Sequence, residues 1–177
     1  QSALVWSSAI LQHCSQGRVL CVDPWSAQYL EKYLEAGAGV AYTKMFDALR
    51  NGDVYQRFCR NAALAEPRAP IDHMRGTLRE VLELLENRVF DIVYLDGDHC
   101  VSAVREDLAL AQPLVSVGGI LCGDDLERQG GDCDWEATMA IADTTAYIGF
   151  HPGVTIAVWE AFGRVWARNG VWAIQKT

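Results

Sequence analysis

Three short apolar runs in this chain end on aspartate: RVLCVD at 18–23, FDIVYLD at 90–96 and GGILCGDD at 118–125. Such runs, rich in β-branched residues and closed by turn-forming ones, mark strands. Between them lie segments of helical character. SALVWSSAILQHCSQG (2–17) repeats apolar residues near helical spacing and stops at Gly17. SAQYLEKYLEAG (26–37) predicts a short helix with Ser26 as its cap. Residues 38–52 show no clean period, and Asn51-Gly52-Asp53 then breaks the chain before a helix in VYQRFCRNAALA (54–65). IDHMRG (71–76) predicts a strand. TLREVLELLEN (77–87) predicts an amphipathic helix capped by Thr77, with Glu80 three residues on. After FDIVYLDGDH (90–99) a further helix is expected to about Val115.

Alternating strands and helices predict a parallel sheet with helical crossovers, in which all strand carboxyl ends share one rim. Asp23, Asp96, Asp124 and Asp125 are therefore expected around one cleft. The tail differs: HPGVTIAVWEAFG (151–163) reads as a loop and a helix, and RVWARNGVWAIQK (164–176) as a hairpin, since Asn169-Gly170 suits a two-residue type I′ turn.

Composition bounds the rest. A chain of 177 residues, half of them hydrophobic, can bury one full core, so a single domain over 1–177 is expected. A net charge of -8 argues against a nucleic-acid partner, which basic surfaces recognise. No apolar run approaches the roughly 18 residues of a membrane span. None of the six cysteines forms a CxxC pair, which favours buried free thiols and a reducing, cytoplasmic setting.

Adjacent carboxylates near a core must be hydrated, paired or bound to a cation, although Asp is also a common turn residue. Taken together, VDPW (22–25), VYLDGDH (93–99), GGILCGDDL (118–126) and HPGVTIAVWEAFG resemble the class I S-adenosylmethionine-dependent methyltransferases. The likeness is greatest to the metal-dependent O-methyltransferases of the macrocin type. The resemblance implies a Rossmann-like, mostly parallel sheet with helices on both faces and a C-terminal antiparallel hairpin.

It also implies site residues. Asp96, Asp124 and Asp125 would hold Mg²⁺, a cation that prefers hard oxygen ligands. His99 or Asp98 would be the base. Asp23 would accept the ribose hydroxyls of S-adenosylmethionine, and Gly76 and Thr77 would contact its adenine. Each has a plainer alternative: Asp23 a turn before Pro24, Thr77 a helix cap, His99 a solvent-facing residue at a helix start. His13 and His73 read as structural, Trp135 reads as packing with a substrate-pocket lining as its alternative, and His151 carries no assignment. The resemblance further implies a first strand and an E-x-G-x-x-x-G loop ahead of Gln1, so an N-terminally incomplete domain is expected.

The function implied is methyl transfer to a hydroxyl of a small molecule, a sugar or a vicinal diol, with homo-oligomerisation left open. Two alternatives stand beside it. The Asp96-Gly97-Asp98 triplet is compatible with a Mg²⁺-dependent phosphohydrolase, but in that class it should end the first strand. A non-catalytic methyltransferase-like scaffold is the other.

Overall fold

A computed structural model describes residues 2–35, 40–85, 89–144 and 147–177. They fall into two compact units, Gln1–Val81 and Leu82–Thr177.

The first unit begins with helix α1 (Ser2–His13), which ends four residues before the expected stop at Gly17. Strand β1 (Val19–Asp23) follows, then a 3-10 turn (Ala27–Leu30) and helix α2 (Glu31–Glu35). Ser26 takes the N-cap position of that turn, but its side chain makes no capping hydrogen bond. Residues 36 and 37 of the expected helix lie outside the described residues. Helix α3 (Val40–Arg50) occupies the stretch read as aperiodic. Tyr42, Phe46 and Leu49 do repeat at helical spacing, and Tyr42 stacks on Tyr33 with ring centroids 5.5 Å apart.

Gly52, at φ 78, turns the chain into helix α4 (Asp53–Ala62), and strand β2 (Ile71–Arg75) pairs with β1 in parallel, Val19 opposite Ile71 and Asp23 opposite Arg75. The core of this unit is built on Trp25, whose ring packs on Phe58 at 4.6 Å and Tyr55 at 5.2 Å and meets His73 edge-on at 5.8 Å. Tyr55 and Phe58 sit three apart on α4 and so present one face. His73 is structural, as expected, hydrogen-bonded at 2.8 Å to the Tyr55 hydroxyl. Helix α5 (Leu78–Val81) closes the unit. The expected capping box is present: the Thr77 N–H donates to Glu80 Oε2 at 2.7 Å, and the Glu80 N–H to Thr77 Oγ1 at 3.3 Å. The helix is shorter than expected, however, and the chain continues as a 3-10 turn (Leu82–Leu85).

The second unit contains strand β3 (Phe90–Leu95), helix α6 (Val101–Ala111) and strand β4 (Val115–Leu126). After them come the short helix α7 (Trp135–Met139), helix α8 (Pro152–Phe162) and strands β5 (Trp166–Arg168) and β6 (Gly170–Gln175). The strand order is β3-β4-β6-β5, with β3 and β4 parallel and the last two antiparallel. The hairpin turn forms as expected, with both Asn169 (φ 54) and Gly170 (φ 84) left-handed, as a type I′ turn requires.

Val101, Val104, Leu108 and Ala111 line the buried stripe of α6, at the spacing of one helical face. Helix α8, buried from Pro152 through Val158, packs on α6. Leu108 is only 2% exposed, a burial that contributes about 1.5–3 kcal/mol. All six cysteines are free thiols, but Cys14 is exposed and only Cys100 and Cys122 are fully buried. Among the described residues, no helix is long and apolar enough to cross a membrane.

Candidate functional site

Why two aspartates stand side by side in β4 is answered by the register of its pairing with β6. Gly123 lies opposite Trp172 and Leu126 opposite Gly170, so three steps on β4 match two on β6. The extra residue makes a β-bulge. Asp125, at φ 65, takes the left-handed conformation within it. Consecutive side chains of a regular strand point to opposite faces, and a bulge re-aims them. Asp124 and Asp125 consequently line the same pocket, with Asp96, Asp98, His99 and Asp107. The acids close the strand, as the sequence suggested, although the strand begins earlier and runs one residue further, to Leu126.

Asp96 reaches this pocket because it follows Leu95, which lies opposite Gly123, the residue before Asp124. Gly123 is required here: a Cβ would stand 2.7 Å from the Leu95 carbonyl oxygen and 2.8 Å from Trp172 Nε1. Asp124 accepts the Tyr94 hydroxyl at 3.2 Å and the Asp125 N–H at 3.0 Å. Burial, with the negative charge of Asp124 beside it, pushes the Tyr94 phenol well above its ordinary range, so it remains a donor.

Asp125 faces two imidazoles. Its Oδ2 lies 2.8 Å from His99 Nε2, and its Oδ1 lies 3.5 Å from His151 Nδ1. The His99 hydrogen bond holds the Asp125 carboxyl below the usual carboxylate range; the same bond raises the His99 pKa, against the opposing effect of burial. The two histidine rings are 4.2 Å apart. Glu127 fixes His151 from outside, accepting its backbone N–H at 3.1 Å and sitting 3.0 Å from its Nδ1.

The approach of α8 sets the histidine pair. A Cβ on Gly153 would lie 2.2 Å from the His99 carbonyl oxygen, so only glycine lets the helix start so close to residues 99–101. His151 and Glu127 have no role in the sequence reading. The one local signal is that His151 directly precedes the Pro-Gly pair that opens α8.

The other expected site residues divide. Asp98 accepts the Cys100 N–H at 3.0 Å and so closes the turn into α6. Asp107, a half-buried residue of α6 to which the sequence reading gave no role, lies close to Glu106 and Asp98 and has its pKa pushed up to about 6, first by desolvation. Asp23, Gly76 and Thr77 lie together in the first unit, where the Gly76 N–H donates to the Asp23 carbonyl at 3.2 Å. The Asp23 carboxylate accepts the Trp25 N–H at 2.6 Å, which realises its turn reading, and burial raises its pKa.

The donor chemistry also suits a hard divalent cation. Asp96, Asp124 and Asp125 bring carboxylates from two neighbouring strands to one pocket. Among the described residues, one group of three metal-ligating side chains has its ligand atoms within 4.8 Å of one another, and it is His99, Asp125 and His151.

Similar folds are known. The structure of the O-methyltransferase NovP superposes with a TM-score of 0.58 at 16% identity, covering 99% of this chain and 67% of that one. An O-methyltransferase family protein from Burkholderia thailandensis gives 0.50 at 13% identity, covering 99% and 55%. The chain thus spans about two thirds and about half of these two proteins. No curated protein matches it. Residues 1–126 match the family described as methyltransferase domain. The chain belongs to that family and has the α/β fold of the class I S-adenosylmethionine-dependent methyltransferases.

Proposed function

We propose that this domain methylates a hydroxyl of a small molecule, a sugar or a vicinal diol, in the manner of the macrocin-type metal-dependent O-methyltransferases. The observation that carries the reading is the grouping of Asp96, Asp124, Asp125 and His99 around one pocket at the ends of parallel strands, in a chain of the methyltransferase family. S-adenosylmethionine would supply an electrophilic methyl group. Asp23, Gly76 and Thr77 would bind its adenosine, Asp23 through the ribose hydroxyls. Mg²⁺, held by Asp96, Asp124 and Asp125, would make a bound acceptor hydroxyl more acidic.

His99 is the base we favour. With Nε2–H donated to Asp125, a neutral imidazole keeps its lone pair on Nδ1, and the carboxylate stabilises the cation formed when that nitrogen takes the acceptor proton. Asp98 is the weaker candidate, since its carboxylate already holds the Cys100 N–H. Tyr94, donating to Asp124, orients that carboxylate. The free thiols fit a cytoplasmic setting.

The test is methyl transfer from labelled S-adenosylmethionine to a panel of sugars and diols, with Mg²⁺ and with chelator. Asp96→Asn and Asp124→Asn should each lower turnover at least about tenfold while cofactor binding, read by calorimetry, persists. Transfer that proceeds equally well in chelator would remove the metal from the reading. A purified protein that binds the cofactor yet methylates nothing would favour the scaffold alternative.

A further inference from the structure

At the edge of the pocket, His99 and Asp125 meet His151 in a donor set that hard-cation chemistry does not explain. We infer that His99, Asp125 and His151 form a binding site for an imidazole-preferring divalent transition metal such as Zn²⁺ or Co²⁺. The inference goes beyond the methyltransferase reading: it shares Asp125 with the proposed Mg²⁺ ligands and takes up His99, the proposed base, but uses neither Asp96 nor Asp124.

Geometry comes first. One ligand atom from each of the three side chains lies within 4.8 Å of the other two. Neighbouring ligand atoms around a tetrahedral ion with bonds near 2.0–2.1 Å stand roughly 3.3 Å apart, so these atoms need draw in by no more than about 1.5 Å. The site therefore needs only small side-chain adjustments to close on an ion. All three residues are half-buried, which leaves a path for the ion and room for a water or another ligand in the remaining position.

Ligand chemistry comes second. Two imidazoles and one carboxylate suit Zn²⁺, Co²⁺ or Ni²⁺, whereas Mg²⁺ takes oxygen donors and keeps its waters. The surroundings supply a third argument. Metal-binding histidines are normally oriented by an outer carboxylate. Glu127 does this for His151, accepting its backbone N–H and sitting against Nδ1, so that the ring would ligate through Nε2. Gly153 fixes the backbone of the same segment against residues 99–101, so the two rings are positioned by main-chain packing rather than by flexible side chains.

The experiment is a titration of the chelator-treated protein with Co²⁺, followed by visible absorption. One equivalent should give the intense bands of a four- or five-coordinate ion, bleached by equimolar Zn²⁺ but not by a large excess of Mg²⁺. His151→Gln should weaken Co²⁺ binding by more than tenfold. Glu127→Gln should weaken it about tenfold to a hundredfold, the usual effect of removing an outer carboxylate. Circular dichroism establishes that both variants are folded, and perturbation of the His99 and His151 ring nitrogens by Zn²⁺ in NMR spectra of the wild type gives an independent reading. Only the pale spectrum of octahedral Co²⁺, or unchanged affinity in folded His151→Gln, would overturn the inference. Loss of binding in Asp96→Asn with no loss in His151→Gln would also overturn it, while leaving the carboxylate Mg²⁺ site intact.

Discussion

Gly153→Ala is the substitution that most directly probes how the site is assembled. The added methyl group would lie 2.2 Å from the His99 carbonyl oxygen, 2.5 Å from the Val101 nitrogen and 2.7 Å from the Ala142 carbonyl oxygen. All three are backbone atoms, so no rotamer change relieves the clash. To restore an ordinary contact of 3.4 Å, α8 and the 99–101 segment must separate by about 1.2 Å. Overpacking of this kind costs about 1–3 kcal/mol. For a chain of this size each kcal/mol lowers Tm by roughly 2–4 °C, so a fall of about 2–12 °C is expected in a thermal melt. The same movement draws His151 away from His99 and Asp125, and the coupled ring signals of the two histidines should change in NMR spectra. Gly149→Ala is the comparison. Its Cβ meets nothing within 4 Å, and only its φ of +93° opposes the change. A Gly153→Ala protein that melts with the wild type and keeps its histidine signals would refute the packing argument.

Asp107→Asn tests a pH dependence. A carboxyl with a pKa of about 6 in the folded protein, above the ordinary 3.8, binds more protons folded than unfolded across that interval. Its contribution is therefore full below about pH 4 and lost as pH rises through 6; Tm measured against pH should fall over that window in the wild type and less in the variant. Asn169→Ala removes the short polar side chain that makes φ 54 tolerable to a residue with a β-carbon and should cost up to about 1–2 kcal/mol in denaturant unfolding, while Asn169→Gly should cost much less. Asp23→Ala should weaken S-adenosylmethionine binding by about 1.5–3 kcal/mol in calorimetry, and equal affinity would return Asp23 to its turn with Trp25.

The parallel strands and the hairpin were readable because local chemistry and fold agree there. Dense β-branched runs end on acids in β1 and β3, and Asn169-Gly170 can take a turn few other pairs can. Helix α3 was not readable although Tyr42, Phe46 and Leu49 follow its period. Charged and small residues around them leave little apolar contrast, and it is the stacking of Tyr42 on Tyr33 that favours the helical arrangement. The segment after Thr77 shows the converse. Its cap formed as read, yet the chain tightens into a 3-10 turn after four residues, which a period of 3.6 does not foretell.

The site divides along the same line. That Asp96, Asp124, Asp125 and His99 would line one pocket was legible because each lies at or near the end of a strand. The bulge was not. Its cause is a register mismatch between β4 and β6, a property of two segments paired across a loop and a helix rather than of either alone. From that mismatch follows the arrangement that separates this pocket from a simple row of acids. Asp125 turns left-handed, its carboxylate swings to His99, and Gly153 lets α8 deliver His151 to the other oxygen. Moving Asp125 into an ordinary extended conformation would send its side chain to the opposite face and leave the two imidazoles without their shared carboxylate. The adjacent aspartates therefore have different partners, Asp124 the phenol of Tyr94 and Asp125 the histidines, and the local backbone conformation of one residue separates them.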